Sequence, residues 1–263
     1  MFLGNTACIQ YSMLTNNITL SIVSHGHNVM VESLLSDLLI NSDICKIIIT
    51  KNIIGEKIEY NPEIAPKIIT VTNTTPKGFA ENHNYAFKEH CDSDYFCVLN
   101  PDIRLPEDPF PSLISYMNSE KCAIIGPVVK DVNGGIQDSA RYFPKPLTLI
   151  LKAIGYDVTK FPLSPSGTGF VHPDWIAGMF MFIRSSWFKQ SLFDEKFFLY
   201  YEDIDLCLRC WKSGNSLAFV QEVYVIHDAR RDSHRKLYYF VLHLRSIVYF
   251  FYKNYLRYPK KIQ

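Results

Sequence analysis

The sequence lacks any apolar run long enough to cross a bilayer. Spanning takes ~20 apolar residues, and the nearest candidate, residues 237–252, is interrupted by His243 and Arg245. An excess of charge of one sign is also missing. The formal net charge is +1 over 263 residues, which argues against a dedicated nucleic-acid binder. The seven cysteines are odd in number and share no repeated spacing, so they read as reduced thiols of a cytoplasmic protein. Cys207 and Cys210 form a Cys-x-x-Cys, but no second pair completes four zinc ligands. No Gly-x-Gly-x-x-Gly follows the first apolar strand, where Ser24-His25-Gly26-His27-Asn28 stands instead. The dinucleotide fingerprint of a dehydrogenase is therefore absent. No secretion leader is expected: residues 1–17 read as a loose extension, with Met13 as an alternative start.

What is present is a core. Apolar residues make up 48% of the chain, enough for one large α/β domain. Residues 18–24 are an apolar run ending in polar and Gly residues, the pattern of a buried parallel strand entering a loop. Residues 29–39 have helical spacing. Residues 45–50 and 67–71 read as further strands, 79–90 as a helix after Pro76-Lys77-Gly78, and 95–99 as a fourth strand. This alternation predicts a mostly parallel sheet flanked by helices. A helix at 113–117, a strand at 123–129 and a turn at Gly134-Gly135 follow. Residues 144–173, rich in Pro, Gly and Ser, read as a long loop of the kind that covers substrates. Residues 175–184 read as one strand, 204–212 as a helix ended by Gly214, and 218–226 as a last strand ending at His227.

Ligands of open α/β sheets bind at the carboxyl ends of the strands. Ser24 and His25, Asn52, Asp102 and His227 all fall at such ends. A carboxylate like Asp102, at the end of a hydrophobic strand in Asn100-Pro101-Asp102, can hold a Mg²⁺ or Mn²⁺ ion. Such an ion neutralises a departing diphosphate and accepts few protein ligands when phosphate supplies the rest. His227 is a candidate second ligand. Glu202, Asp203 and Asp205 place three carboxylates within four residues, directly after an aromatic run. One of them, with Asp205 the first choice, is expected to cap a helix. One of the others is placed to deprotonate an incoming hydroxyl.

These residues occur in the order of a known family. A polar-ended first strand, Gly78-Phe79-Ala80 leading to Asn84, Asn100-Pro101-Asp102, Trp175-Ile176-Ala177-Gly178, and Phe193-Asp194 through Glu202-Asp203-Ile204-Asp205-Leu206-Cys207-Leu208-Arg209 resemble glycosyltransferase family 2. Its fold is called GT-A, and the chain is most similar to bacterial O-antigen rhamnosyltransferases. The resemblance spans about residues 18–245. It implies an inverting single displacement from a nucleotide-sugar donor, dTDP-L-rhamnose, onto a lipid-linked saccharide acceptor. It makes Asp203 the catalytic base with Glu202 beside it, and Asp102 and His227 the ligands of a divalent cation. Ser24, His25, Asn52, Gly78, Asn84, Asn100 and Asp102 fall on the donor side, and Trp175, Gly178 and Glu202 on the acceptor side. Two departures stand out. Asn100 replaces the first Asp of an Asp-x-Asp, and Lys51 precedes Asn52 where members often carry an acid. A galactofuranosyl- or other hexosyltransferase shares the skeleton. A non-catalytic sugar-nucleotide or glycan-binding module is disfavoured, because a binder needs no base.

The implied organisation is an extension (1–17), a GT-A domain (18–229) and a helical amphipathic tail (230–263). The tail pairs Tyr238, Val241, Leu242, Ile247, Val248, Phe250 and Phe251 with Arg231, Arg235, Lys236, Arg245, Lys253, Arg257, Lys260 and Lys261. Such a helix can lie in a headgroup plane. That predicts a peripheral enzyme on the inner face of the bacterial inner membrane; the alternative is that the helix packs on the domain.

Overall fold

Strand Tyr95–Leu99 is buried at every position, and a strand with two apolar faces must be covered by helices on both. The computed structural model, which describes residues 17–41, 43–163, 167–228 and 236–254, shows that arrangement. In chain order the strands are β1 (Ile18–Ser24), β2 (Ile44–Lys51), β3 (Ile68–Thr72), β4 (Tyr95–Leu99), β5 (Ile103–Arg104), β6 (Ile124–Lys130), β7 (Ala140–Arg141), β8 (Phe170–Val171), β9 (Trp175–Ile176), β10 (Phe180–Arg184) and β11 (Leu217–His227). The helices are α1 (Asn28–Asp37), α2 (Phe79–His90), α3 (Phe110–Ser119), α4 (Pro146–Ala153), α5 (Ser185–Ser191), α6 (Glu202–Lys212) and α7 (Lys236–Asn254).

The main sheet runs β3-β2-β1-β4-β10-β6-β11-β5, with β8 on β11. β3, β2, β1 and β4 run parallel to one another, and β6 is parallel to β11. β10 runs antiparallel between β4 and β6. Alternate residues of β4 point to opposite cores. Tyr95, Cys97 and Leu99 pack with α1 and α3, whereas Phe96 and Val98 pack with α2, α5 and α6. The expected α/β class and mostly parallel sheet are observed.

Two expectations need correction. Residues 175–184 are not one strand. β9 pairs with β7 in a separate two-stranded sheet, and the chain re-enters the main sheet at β10 after Ala177-Gly178-Met179. A Cβ at Gly178 would lie 3.2 Å from the Phe79 ring and 3.5 Å from the Asp203 Cβ, so the small residue lets α2 and α6 close on this break. Residues 144–173 are not all loop, since Pro146 opens α4, where its missing N–H leaves no donor unpaired.

α7 docks with one face. Phe250 is fully buried, Ser246 Oγ donates to Leu199 O at 2.8 Å, and Lys253 Nζ lies 2.8 Å from Asp205. Asp205 lies in the acidic first turn of α6, as expected of a charge near a helix N-terminus, but it makes no side-chain cap and anchors α7 instead. Of the tail's basic residues, Arg231, Arg235, Arg257, Lys260 and Lys261 lie outside the described residues. No described helix is long and apolar enough to cross a membrane.

Candidate active site

The antiparallel β10 determines what meets at the sheet edge. β10 starts where β4 ends, with Phe180 opposite Leu99, so the Gly178 turn lies beside Asn100-Pro101-Asp102. β11 ends at the same edge, with His227 opposite Ile103. Asn100 N donates to Met179 O at 2.9 Å, and Asp228 N to Asp102 O at 2.9 Å. Three segments distant in sequence thus converge on one rim.

Asp203 enters this rim from the first turn of α6. Its Oδ2 accepts Gly178 N–H at 2.9 Å and its Oδ1 accepts its neighbour Ile204 N–H at 2.8 Å. Glu202 is 4% exposed, and its Oε2 has no hydrogen-bond partner. Burial, and then the charge of Asp203, push the Glu202 carboxyl well above the usual range. Burial also raises Asp203, but the Gly178 and Ile204 N–H groups oppose it. Both carboxyls are raised, and Asp203 is the one whose charged form the N–H groups stabilise, while the Glu202 proton is the harder of the two to remove. The approach to the pair is strained. Tyr200 and Tyr201 have φ of 69° and 70°, at a cost of roughly 1–2 kcal/mol each. Tyr201 is held there by Phe250 and His243, with ring centroids 5.3 and 5.6 Å away.

His227 Nε2 lies 3.0 Å from Asp102 Oδ2. Asp102 Oδ1 is buried without a partner. The other ring nitrogen, Nδ1, is 2.8 Å from Gln137 Oε1, while Gln137 Nε2 donates to His227 O at 3.1 Å. Gln137 thus holds His227 by both ends of its amide, the oxygen on the ring Nδ1 and the nitrogen on the backbone carbonyl, and this orientation calls for a proton on Nδ1 and leaves Nε2 to face Asp102. That is the orientation of a metal-ligating imidazole. No group of three or more His, Cys, Asp or Glu side chains forms a metal site among the described residues. Cys207 and Cys210 are buried thiols, each raised by burial.

Several residues expected on the donor side have other partners. Asn84 is 1% exposed. It clamps Phe193 through both N–H and O and reaches Glu195, so it braces the segment ahead of α6 rather than opening to a ligand. Asn52 holds Lys77 through Lys77 N and O and also accepts from Asn73. A Cβ at Gly78 would lie 2.6 Å from Phe198 O, so this glycine lets the 197–201 loop cross the start of α2. Ser24 is buried and bonds Glu56 and His27 N, and His25 N donates to His27 Nδ1 at 3.3 Å. Trp175 Nε1 donates to Tyr142 O at 3.1 Å. Gln137, Asn73 and Glu56 escape a sequence reading, because nothing in their local patterns announces a partner so far along the chain.

No protein-family model matches the chain. Over 222 residues it is 33% identical to rhamnosyltransferase WbbL of Escherichia coli (strain K12), an alignment covering 81% of this chain and 83% of that protein. The chain belongs to that rhamnosyltransferase group within family 2 of the GT-A glycosyltransferases. This glycosyltransferase is also 28% identical, over 54% of its length and 49% of the relative's, to N-acetylglucosaminyl-diphospho-decaprenol L-rhamnosyltransferase of Mycobacterium tuberculosis. The solved structure of GalNAc-T7 with UDP, GalNAc and Mn²⁺ matches at a TM-score of 0.63 and 12% identity, over 82% of this chain and 44% of that one. Mannosyltransferase PcManGT of Pyrobaculum calidifontis with GDP-Man and Mn²⁺ matches at 0.59 and 11%, over 93% and 65%. At these identities the structural matches speak for the fold.

Proposed function

We propose that this glycosyltransferase transfers L-rhamnose from dTDP-L-rhamnose to a lipid-linked saccharide in bacterial surface polysaccharide (O-antigen) synthesis, with inversion at the anomeric carbon. The observation that carries the reading is Asp203, a carboxylate held by two backbone N–H groups at the rim where β4, β10 and β11 converge. In a single displacement the acceptor oxygen bonds to the anomeric carbon, the bond to the diphosphate breaks on the opposite face, and Asp203 takes the hydroxyl proton. Asp102 and His227 fit a Mg²⁺ or Mn²⁺ ion, since Asp102 offers an unpartnered oxygen and Gln137 presents His227 Nε2. Bound there, the ion supplies charge neutralisation for the departing diphosphate. The rhamnosyl group is favoured over another hexosyl or a galactofuranosyl group by the 33% identity to a named rhamnosyltransferase.

Contact with the inner face of the inner membrane belongs to the same reading. α7 exposes Leu237, Tyr238, Phe240, Val241, Leu244, Val248 and Tyr252 on its undocked face. α4 exposes Leu147 and Ile150, and its Lys152 lies near enough to α7 to lower the His243 pKa after burial has done so. A peripheral protein inserts such apolar faces while Lys and Arg meet anionic headgroups.

A donor screen tests the function. With Mg²⁺ or Mn²⁺, dTDP-rhamnose should raise the thermal midpoint more than UDP- or GDP-sugars and be the donor consumed. Preference for UDP-galactofuranose or another UDP-hexose would replace the rhamnosyl reading. For the membrane contact, Phe240→Ser, Val241→Ser and Leu244→Ser together should abolish co-sedimentation with anionic vesicles, and undiminished binding would exclude this face.

A further inference from the structure

Two consecutive tyrosines hold left-handed backbone conformations just before the base. Tyr200 and Tyr201 have φ of 69° and 70°, a region that glycine enters freely and bulky residues seldom do. Strain of this kind persists only where the surroundings impose it, and it gathers at functional sites. The two rings go opposite ways. Tyr201 is 5% exposed and packs against Phe250 and His243. Tyr200 is 38% exposed. The turn drives one ring into the core and holds the other at the surface, three residues before Asp203.

The place of the outward ring is set from two sides. Tyr239 and His243 stand four residues apart on α7, hence on one face of that helix. The Tyr200 ring meets His243 edge-on, with centroids 5.1 Å apart. Burial, and then the Tyr239 phenol and the Glu202 carboxyl, raise the Tyr200 pKa. Both groups are therefore near enough to act on the Tyr200 hydroxyl, which keeps its proton. The ring stands between the first turn of α6 and the first half of α7. Asp102, by contrast, is tied to the end of β11 through His227 and the Asp228 N–H, so the assigned diphosphate end is carried by a different part of the fold. One residue further round α7 are Phe240 and Leu244, both exposed. The apolar face assigned above to the membrane thus lies next to the face that meets Tyr200.

A pyranose carries a face of C–H groups and a rim of hydroxyls. An aromatic ring fixed at the surface takes the face, and its phenol gives the rim a hydrogen-bond partner. In a single displacement the attacking hydroxyl comes from the side opposite the diphosphate, so the acceptor sugar needs a support near Asp203 that the diphosphate does not occupy. We propose that Tyr200 is the platform on which the saccharide end of the acceptor stacks, with Tyr239 and His243 of α7 bounding it. The inference rests on the transfer reading above, with Asp203 as base, and adds to it the residue that receives the acceptor ring. It also gives the lipid a path: with the sugar on Tyr200, the lipid end leaves along Phe240 and Leu244 toward the bilayer.

The test compares two fates of one donor on the full chain with divalent cation present. The donor is dTDP-rhamnose, or the nucleotide sugar that the screen above selects in its place. The acceptor probes are octyl glycosides of glucose, galactose and N-acetylglucosamine. Transfer needs the platform, whereas hydrolysis by water needs the donor site and the base. Tyr200→Asn removes the ring but keeps a residue that tolerates positive φ, which guards against collapse of the turn. Its ratio of transfer to hydrolysis should fall by about ten- to thirtyfold, the range for truncating an aromatic anchor, chiefly through a higher acceptor KM. Tyr200→Phe keeps the ring and should hold the ratio within about threefold of wild type, the loss of one hydroxyl contact. An unchanged ratio in Tyr200→Asn overturns the inference. So does an equal fall in transfer and hydrolysis, which would make the ring a brace for Asp203, or a rise in the donor KM alone, which would put the ring on the donor sugar. A wild type that hydrolyses the donor but transfers to none of the three glycosides also overturns it, because a stacking platform takes the C–H face of each. If the wild type consumes no nucleotide sugar at all, the transfer reading fails first and this inference with it.

Discussion

Glu202 and Asp205 sit on the first turn of α6, and both are buried, at 4% and 0% exposure. Their surroundings differ completely. Asp205, on the flank facing α7, meets Arg209 at 2.8 Å, Lys253 at 2.8 Å and the Asn254 amide. Every oxygen there has a partner. At the rim, Glu202 has an orphan oxygen, and its neighbour Asp203 relies on two backbone N–H groups with no cation beside it. A buried carboxylate with complete partners holds structure together, whereas one with an open valence is held ready for something outside the chain. The two regions are coupled: α7, anchored through Asp205, supplies the Phe250 ring that packs on Tyr201 in the strained turn before Glu202.

The largest effect that would break this contrast is at Asp203. Asp203→Asn keeps the size and can still accept Gly178 N–H, but it cannot take a proton. Turnover should fall by about 10²–10⁴, with nucleotide affinity and thermal midpoint close to wild type. Near-normal turnover would move the base to Glu202.

The matching change on the flank acts on stability. Lys253 serves both Asp194, at 2.6 Å, and Asp205. Burial works to raise Asp194, but Lys253, the Lys196 N–H and the Tyr249 hydroxyl outweigh it and hold the carboxyl below its usual range. Lys253→Met leaves one buried and one half-buried carboxylate short of a cation. Breaking a buried pair costs about 3–5 kcal/mol; Lys253 keeps 27% exposure, so about 2–3 kcal/mol is expected after allowing for solvent screening. Chemical denaturation measures it. A loss below about 0.5 kcal/mol would place the flank with ordinary surface ion pairs.

The contrast also marks what the sequence could reveal. The apolar runs located the main strands within a residue or two, because a strand buried on both faces is written as a continuous local pattern. Strand ends and order along the chain pointed to Asp102, Asp203 and His227, and the structure sets Asp102 against His227 and Asp203 against Gly178. The division at Gly178 was hidden, since Trp175 to Arg184 stays apolar through the break and only packing against Phe79 and Asp203 shows it. Asp205 was misassigned as a cap because its partner Lys253 lies 48 residues away. Gln137 acts on His227 across 90 residues. Local chemistry announces the ends of elements, and partners at such separations are fixed only by topology.

The smallest expected effect sharpens the contrast from the side of the proton. Burial and the Asp203 charge raise the Glu202 carboxyl above its unfolded value, so the folded chain binds a proton that the unfolded chain has released. The resulting stability is fully present below the unfolded glutamate pKa of about 4.3. It is lost as pH rises through the folded value. Glu202→Gln is a neutral isostere and carries no such dependence. Its thermal midpoint should match wild type near pH 4 and exceed it at pH 8. Each unit of upward shift corresponds to about 1.4 kcal/mol, and each kcal/mol to about 2–4 °C in a chain of this size. The acid limb of the activity profile should stay in place if Asp203 alone takes the acceptor proton, since Glu202 is the more strongly raised of the two. A midpoint difference independent of pH would show that Glu202 is ionised in the fold. An acid limb displaced by more than about one unit would show that the two carboxyls share the catalytic proton as a coupled pair, and the proton would then belong to the rim as a whole.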